Sequence, residues 1–215
     1  MRHNLFAISN STSGIGSQIF HPQAKSGFAF LSMVELLVLG AEGSGKSLLI
    51  RKLKQLCTIT EEIDEDQSES TIPTIGVDIS SIEVDGIDLT VREIGGSMAS
   101  KWHSYIPDSS ALLFVIDVSD LGMLASNLVL LYEVVAYENI LKDKSFAILF
   151  NKIDLVSDPK SIAVVYNTLR IDDLRTENGL DIVLLSGSSL NKEGSSFCVR
   201  AWIQSCRMTP AMTSS

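Results

Sequence analysis

The chain has 215 residues, 45% hydrophobic and 20% charged, a balance that suits one soluble globular domain of ordinary size with a real core. Its formal charge of −9 argues against broad nucleic-acid binding, because no basic excess is available to neutralise a phosphate backbone. A single phosphate ligand stays open, since that needs only a loop and one lysine.

Residues 1–33 contain no Asp or Glu and many Ser. This faintly resembles an organellar transit segment, but Arg2 and Lys25 are few basic residues for that role, so residues 1–32 are expected to form a disordered extension. The second residue is Arg2 and the tail "RMTPAMTSS" lacks a terminal cysteine, so neither a myristoyl nor a prenyl pattern is present. Membrane contact is therefore expected only through partners. The longest apolar stretch, Phe28 to Gly40, is too short for a membrane span and carries Glu35 inside it. Cys57, Cys198 and Cys206 lack metal-ligand spacing and read as thiols of a reducing compartment. A cytoplasmic location follows as the expectation.

From Met33 onward apolar runs alternate with longer helical patterns, the signature of an α/β domain around a largely parallel sheet. The predicted strands are 34–40, 79–84, 87–94, 111–117, 146–152 and 181–186. The predicted helices are 46–56, 121–142, 160–170 and 192–206. Asp85-Gly86 separates the second and third strands, and that dipeptide favours a tight hairpin, so one strand should run antiparallel. The fold class is thus a six-stranded, mostly parallel sheet with one antiparallel strand and helices on both faces. "TITEEIDEDQSES" (58–70) carries six acids and little apolar content, and reads as a solvated insertion or a partner-facing loop. Residues 208–215 read as a flexible tail.

"GAEGSGKS" matches the phosphate-loop spacing G-x-x-x-x-G-K-[ST] and lies where it must, after a strand and before a helix. Gly40, Ala41, Glu42, Gly43, Ser44 and Gly45 would curl backbone N–H groups around phosphates. Lys46 would place its charge on the β/γ oxygens, Ser47 its hydroxyl on Mg²⁺, and Leu48 continues the helix whose positive end points at the ligand. "NKID" follows a buried strand further on. It resembles the guanine-specificity motif of small GTPases, which implies that the Asp154 carboxylate accepts from the N1 and N2 donors that guanine has and adenine lacks, with Asn151 and Lys152 bracing the base and its pocket.

N-K-x-D after such a strand resembles the guanine motif of small GTPases, and "TIPTIG" (71–76) resembles the first switch of the Arf and Arf-like family. The likeness extends from Met33 to about Arg207, so residues 33–207 are expected to be the GTPase domain, and the family's Mg²⁺ and GTP/GDP are the implied cofactors. It implies that Thr74 closes onto Mg²⁺ and the γ-phosphate, that Gly96 faces the γ-phosphate, and that Glu93 supports Mg²⁺ through a water. Ser186-Gly187 stands at the base-closing motif, with Gly replacing the usual Ala. The chain is similar to a divergent branch with a long loop before the first switch, an R-E-[LI]-G-G motif and a shortened second switch.

The second switch, "REIGG", is followed by Ser97 where the family usually has the glutamine that orients the attacking water. Serine is too short to bridge a water from the same position, and a positioning loss of this kind costs about a hundredfold or more. No catalytic residue is therefore assigned, and hydrolysis is expected to be very slow or partner-dependent. Among nearby residues, His103 is the one suited to hold a water. The family's apolar triad reads Val77, Arg92 and Tyr105, and the charge at Arg92 should alter partner choice. Trp102 reads either as packing or as a partner contact. The resulting function is a monomeric Mg·GTP-dependent switch that recruits protein effectors and regulators through its switch regions, in membrane traffic. A non-hydrolysing GTP-bound scaffold is the alternative.

Overall fold

The computed structural model describes residues 34–57, 73–84, 86–191 and 194–206. The expected N-terminal extension, acidic insertion and C-terminal tail, together with Asp85 of the hairpin, lie outside the described residues.

Six strands form one sheet in the order β2-β3-β1-β4-β5-β6. They are β1 (Val34–Leu39), β2 (Val77–Val84), β3 (Ile87–Ile94), β4 (Ala111–Asp117), β5 (Ser145–Asn151) and β6 (Ile182–Ser186). Only β2 is antiparallel to its neighbour, pairing one-to-one with β3 from Val77↔Ile94 to Val84↔Ile87. Gly86 takes φ 82°, as a tight hairpin requires. The inner strands are continuous apolar runs because helices cover both of their faces. Thus β4 is buried from Ala111 to Ile116.

The helices are α1 (Lys46–Cys57), α2 (Leu124–Val135), α3 (Glu138–Leu141), α4 (Lys160–Thr168), α5 (Ile171–Glu177) and α6 (Ser195–Ser205). One core, with Phe114, Phe146 and Phe150, lies on the face that α2, α4 and α5 cover. The other, with Leu49, Leu53, Val199 and Trp202, lies under α1 and α6.

Two local departures from the expected elements have physical causes. The predicted helix 121–142 is a short 3-10 turn (Leu121–Met123), then α2, then α3. The chain leaves helical geometry at Tyr137 (φ −95°, ψ 29°), whose ring stacks on His103. The predicted helix 160–170 ends early because Arg170 is left-handed (φ 50°), and α5 starts directly after it. Arg170 Nε then pairs with Asp173 at 2.5 Å, on the first turn of the new helix. After β3 the chain makes a 3-10 run, Gly96–Ser104, kinked at Met98.

Strand β1 lies between β3 on one side and β4 on the other, so strand order reverses around it. The crevice outside its carboxyl end is where such sheets bind ligands. The loop 40–45 occupies that place.

Candidate functional site

Gly40, Ala41, Glu42, Gly43, Ser44 and Gly45 link β1 to α1, and Lys46 begins the helix. Lys46 is buried, and its Nζ donates to the Gly40 and Ala41 carbonyls at 2.9 Å each. Burial lowers the Lys46 pKa, while the Glu93 and Glu42 carboxylates pull it back up. A cleft of about 270 Å³ opens here, lined among others by Lys46, Ser47, Leu48, Thr74, Glu93 and Gly96.

The three residues expected to hold a metal meet at this cleft. Ser47 Oγ donates to Glu93 Oε1 at 2.7 Å, Thr74 Oγ1 donates to the same oxygen at 3.2 Å, and the two hydroxyls stand 3.1 Å apart. They come from α1, the segment before β2, and β3, so long-range folding assembles the cluster. Its donors are two hydroxyls and one carboxylate. This hard-oxygen set with little charge fits Mg²⁺ completed by water and phosphate, rather than a metal held in an all-protein cage. Among the described residues no group of three or more His, Cys, Asp or Glu could hold a metal.

Gly96 closes the opposite wall. A Cβ there would lie 2.3 Å from the Glu42 amide nitrogen, so only glycine lets this segment approach the loop so closely. Ser97, the next residue, is exposed and does not line the cleft. His103 does not line it either, since its ring stacks on Tyr137 at 6.2 Å beside a separate cavity. The expectation that His103 could hold a water at the cleft therefore has no support in the geometry. Trp102 is packing: it is 2% exposed, meets Phe114 edge-on at 6.1 Å, and its Nε1 donates to the Gly95 carbonyl at 3.4 Å.

The N-K-x-D segment follows β5. Asn151 is fully buried and joins three pieces of chain. Its Nδ2 donates to the Ser44 carbonyl at 2.9 Å, and its Oδ1 accepts from Ser189 N–H (3.2 Å), Ser189 Oγ (3.0 Å) and Ser195 Oγ (2.9 Å). Lys152 is left-handed (φ 62°) and its Nζ pairs with Asp117 Oδ2 at 2.6 Å, at the end of β4. Asp154 sits exposed on the 3-10 turn Ile153–Leu155, at the same end of the sheet.

Ser186 ends β6, and Gly187 follows it in the same region, where a Cβ would lie 2.6 Å from the Ser195 amide nitrogen. That contact explains glycine in place of alanine. The Gly187 N–H donates to the Phe150 carbonyl at 3.0 Å, which ties the segment after β6 to β5.

Sequence reasoning missed Asp117, Ser189 and Ser195 as bracing residues. Asp117 at the carboxyl end of a buried strand was the available signal; the two serines gave none beyond a serine-rich stretch. It also left Arg92 as an open charge. The structure pairs Arg92 Nε with Glu35 Oε1 at 2.7 Å, brings Nη2 to Glu35 Oε2 at 3.2 Å, and sets the guanidinium 5.4 Å from the Tyr105 ring centre. The charge is answered within the fold. A double-mutant cycle of Glu35→Ala and Arg92→Ala, read by denaturant unfolding, should give a coupling of about 1 kcal/mol, because both side chains remain partly exposed.

A phosphate loop at the switch point of a mixed sheet, with a hydroxyl–carboxylate cluster beside it, defines a P-loop domain of the small G-protein type. The sequence pattern of the ADP-ribosylation factor family matches residues 26–205. The chain belongs to that family. It is similar to ADP-ribosylation factor-like protein 16 of Homo sapiens, at 40% identity over 119 residues, 55% of this chain and 59% of that protein. It is similar also to ADP-ribosylation factor J of Dictyostelium discoideum, at 33% identity over 118 residues, 54% of this chain and 55% of that protein. The chain thus spans a little over half the length of these curated relatives. The solved structure of the Arl6 BBS3 small GTPase from Trypanosoma brucei with bound nucleotide analogue GppNp shares the fold, with TM-score 0.66 and 19% identity over 82% of this chain and 99% of that one.

Proposed function

We propose that this protein is a guanine-nucleotide-dependent switch of the Arf-like type that binds GTP or GDP with Mg²⁺ and turns over slowly without a partner. The observation that carries this reading is the meeting of Ser47, Thr74 and Glu93 at the mouth of the phosphate loop. Mg²⁺, when bound there, neutralises phosphate charge. Lys46 exchanges its two loop carbonyls for phosphate oxygens. Thr74 and Gly96 bring the segments around β2 and β3 onto the ligand, and the face they form recruits an effector. Ser97 supplies no water-holding group, so hydrolysis depends on a partner. Membrane traffic, a cytoplasmic location, a monomeric state and membrane contact only through partners complete the proposal. Among the described residues no helix is long and apolar enough to cross a membrane.

The base reading has its own test. Asp154→Asn removes an acceptor for guanine N1–H and N2–H and offers a donor instead. GTP affinity should fall about a hundredfold or more, and xanthosine triphosphate should bind better than GTP. Equal GTP affinity in the variant would remove Asp154 from the base site.

The second reading, a constitutive GTP-bound scaffold, is favoured by the exposure of Ser97 outside the cleft. It predicts equal partner affinity for the GDP and GTP forms, whereas the switch predicts a difference.

A further inference from the structure

Asn127 and Ser44 each bury a polar atom that has no partner, and both line one cavity. Asn127, in the first turn of α2, is 1% exposed, and its Oδ1 accepts no hydrogen bond among the described residues. Ser44 of the phosphate loop is equally buried, and its Oγ is likewise unpartnered. A buried group left unsatisfied costs stability, so each calls for something to bond it. The cavity measures about 240 Å³. It shares Glu42 and Lys152 with the phosphate cleft, whereas Asp117, Asp120 and Asn127 are its own.

The charge of this cavity is acidic. Lys152 is already matched by Asp117 at 2.6 Å, and the other Asp117 oxygen accepts from the Ser119 N–H and hydroxyl. Glu42 and Asp120 are exposed and join no ion pair among the described residues. Asp120 Oδ1 accepts from the Gly122 N–H at 2.9 Å, which leaves Oδ2. Two unmatched carboxylates repel phosphate, so the occupant is a cation. A point metal ion fits poorly, since among the described residues no group of three or more His, Cys, Asp or Glu could hold one. The acceptors are spread instead, with an amide and a hydroxyl buried and carboxylates at the surface. A guanidinium suits that layout: it carries five N–H donors in a planar fork and sheds water more readily than an ammonium. Met123, 39% exposed, gives its methylene stem a flexible apolar wall.

We infer that this cavity receives an arginine side chain of a protein partner, its guanidinium bonded to Asn127 Oδ1 and Ser44 Oγ inside and to Asp120 and Glu42 outside. Ser47, Thr74 and Glu93 do not line the cavity, so the arginine binds without entering the cluster expected to hold Mg²⁺. It grips the phosphate loop through Ser44, which lines this cavity and not the cleft. The inference goes beyond nucleotide binding and does not rest on it.

The test uses the full chain and acetyl-arginine amide, titrated through the millimolar range at constant ionic strength. Amide NMR should show saturable shifts at Gly43, Asp120 and Met123 and at the Asn127 side chain. Acetyl-citrulline amide, of the same shape without the charge, should bind about tenfold or more weakly. Asn127→Leu should weaken the arginine analogue about tenfold, yet leave the melting temperature unchanged or raised, because it replaces an unpartnered buried amide with an apolar group of similar size. A purely structural role for Asn127 would lower the melting temperature instead. Asp120→Asn keeps the bond to the Gly122 N–H, removes the charge, and should weaken binding about threefold. Absence of saturable shifts overturns the inference, as does equal binding of the citrulline analogue or undiminished binding by Asn127→Leu. Spermidine and potassium chloride are the rival probes. Tighter binding of spermidine would assign the site to a free polyamine, and the same shifts with potassium alone would assign it to a point ion; either result overturns the arginine reading.

Discussion

Asn151→Ala should lower the melting temperature by about 6–12 °C, the largest effect expected from any single polar substitution in this protein. Asn151 is fully buried and satisfies one carbonyl and three donors from two other segments. Truncation strands several of these at once. Each unsatisfied buried group costs about 1–3 kcal/mol, and partial relaxation brings the sum to about 3 kcal/mol. The effect is larger than stability alone, because the same side chain ties the phosphate loop to the loop after β6. Nucleotide affinity should fall with it. Ser195→Ala and Ser189→Ala each remove fewer bonds and should cost about 1 kcal/mol by chemical denaturation. A loss under about 2 °C for Asn151→Ala would mean that the loops are held by other contacts.

Lys46→Met should reduce nucleotide affinity by about thirtyfold or more, since truncating one member of a buried charge pair costs about 2–5 kcal/mol. The same substitution tests the electrostatics of the ligand-free fold. The Lys46 pKa is lowered by burial, partly opposed by Glu93 and Glu42. Below the ordinary lysine value of 10.5, the unfolded chain therefore binds the proton more readily than the folded one. The sign follows from linkage: the Lys46 contribution to stability rises with pH toward 10.5 and is least favourable at low pH. Denaturant midpoints measured from neutral pH upward should show this rise in the wild type and a smaller one in Lys46→Met. Equal pH profiles would mean that the Lys46 ammonium is as well solvated in the fold as in the unfolded chain. Nucleotide binding, measured by calorimetry, separates this from the loss of the phosphate contact.

The strands were legible because sheet burial leaves a direct trace. Strands covered on both faces, such as β4 and β5, are uninterrupted apolar runs, and the antiparallel β2 alternates. The phosphate loop was legible because its spacing is dictated by backbone geometry, and Ser47, Thr74 and Glu93 do converge. What escaped the sequence depends on tertiary contact. Helix α5 is short and acidic, with only Ile171 and Leu174 buried, so its apolar period is too brief to register. The break before α3 sits at Tyr137, which stacks on His103 from a distant segment. The bracing serines around Asn151 are ordinary residues until folding aims them at one oxygen. The pairing of Glu35 with Arg92 crosses two neighbouring strands and carries no local signature.

The central claim is that this protein holds GTP without an internal timer. Purified protein is loaded with GTP and Mg²⁺, free nucleotide is removed, and the bound species is followed over hours by chromatography. The account predicts that bound GTP remains largely GTP, because the cleft wall ends at Gly96 and Ser97 lies outside it. Conversion to GDP within minutes would contradict it, and would require another group in this chain to position the attacking water.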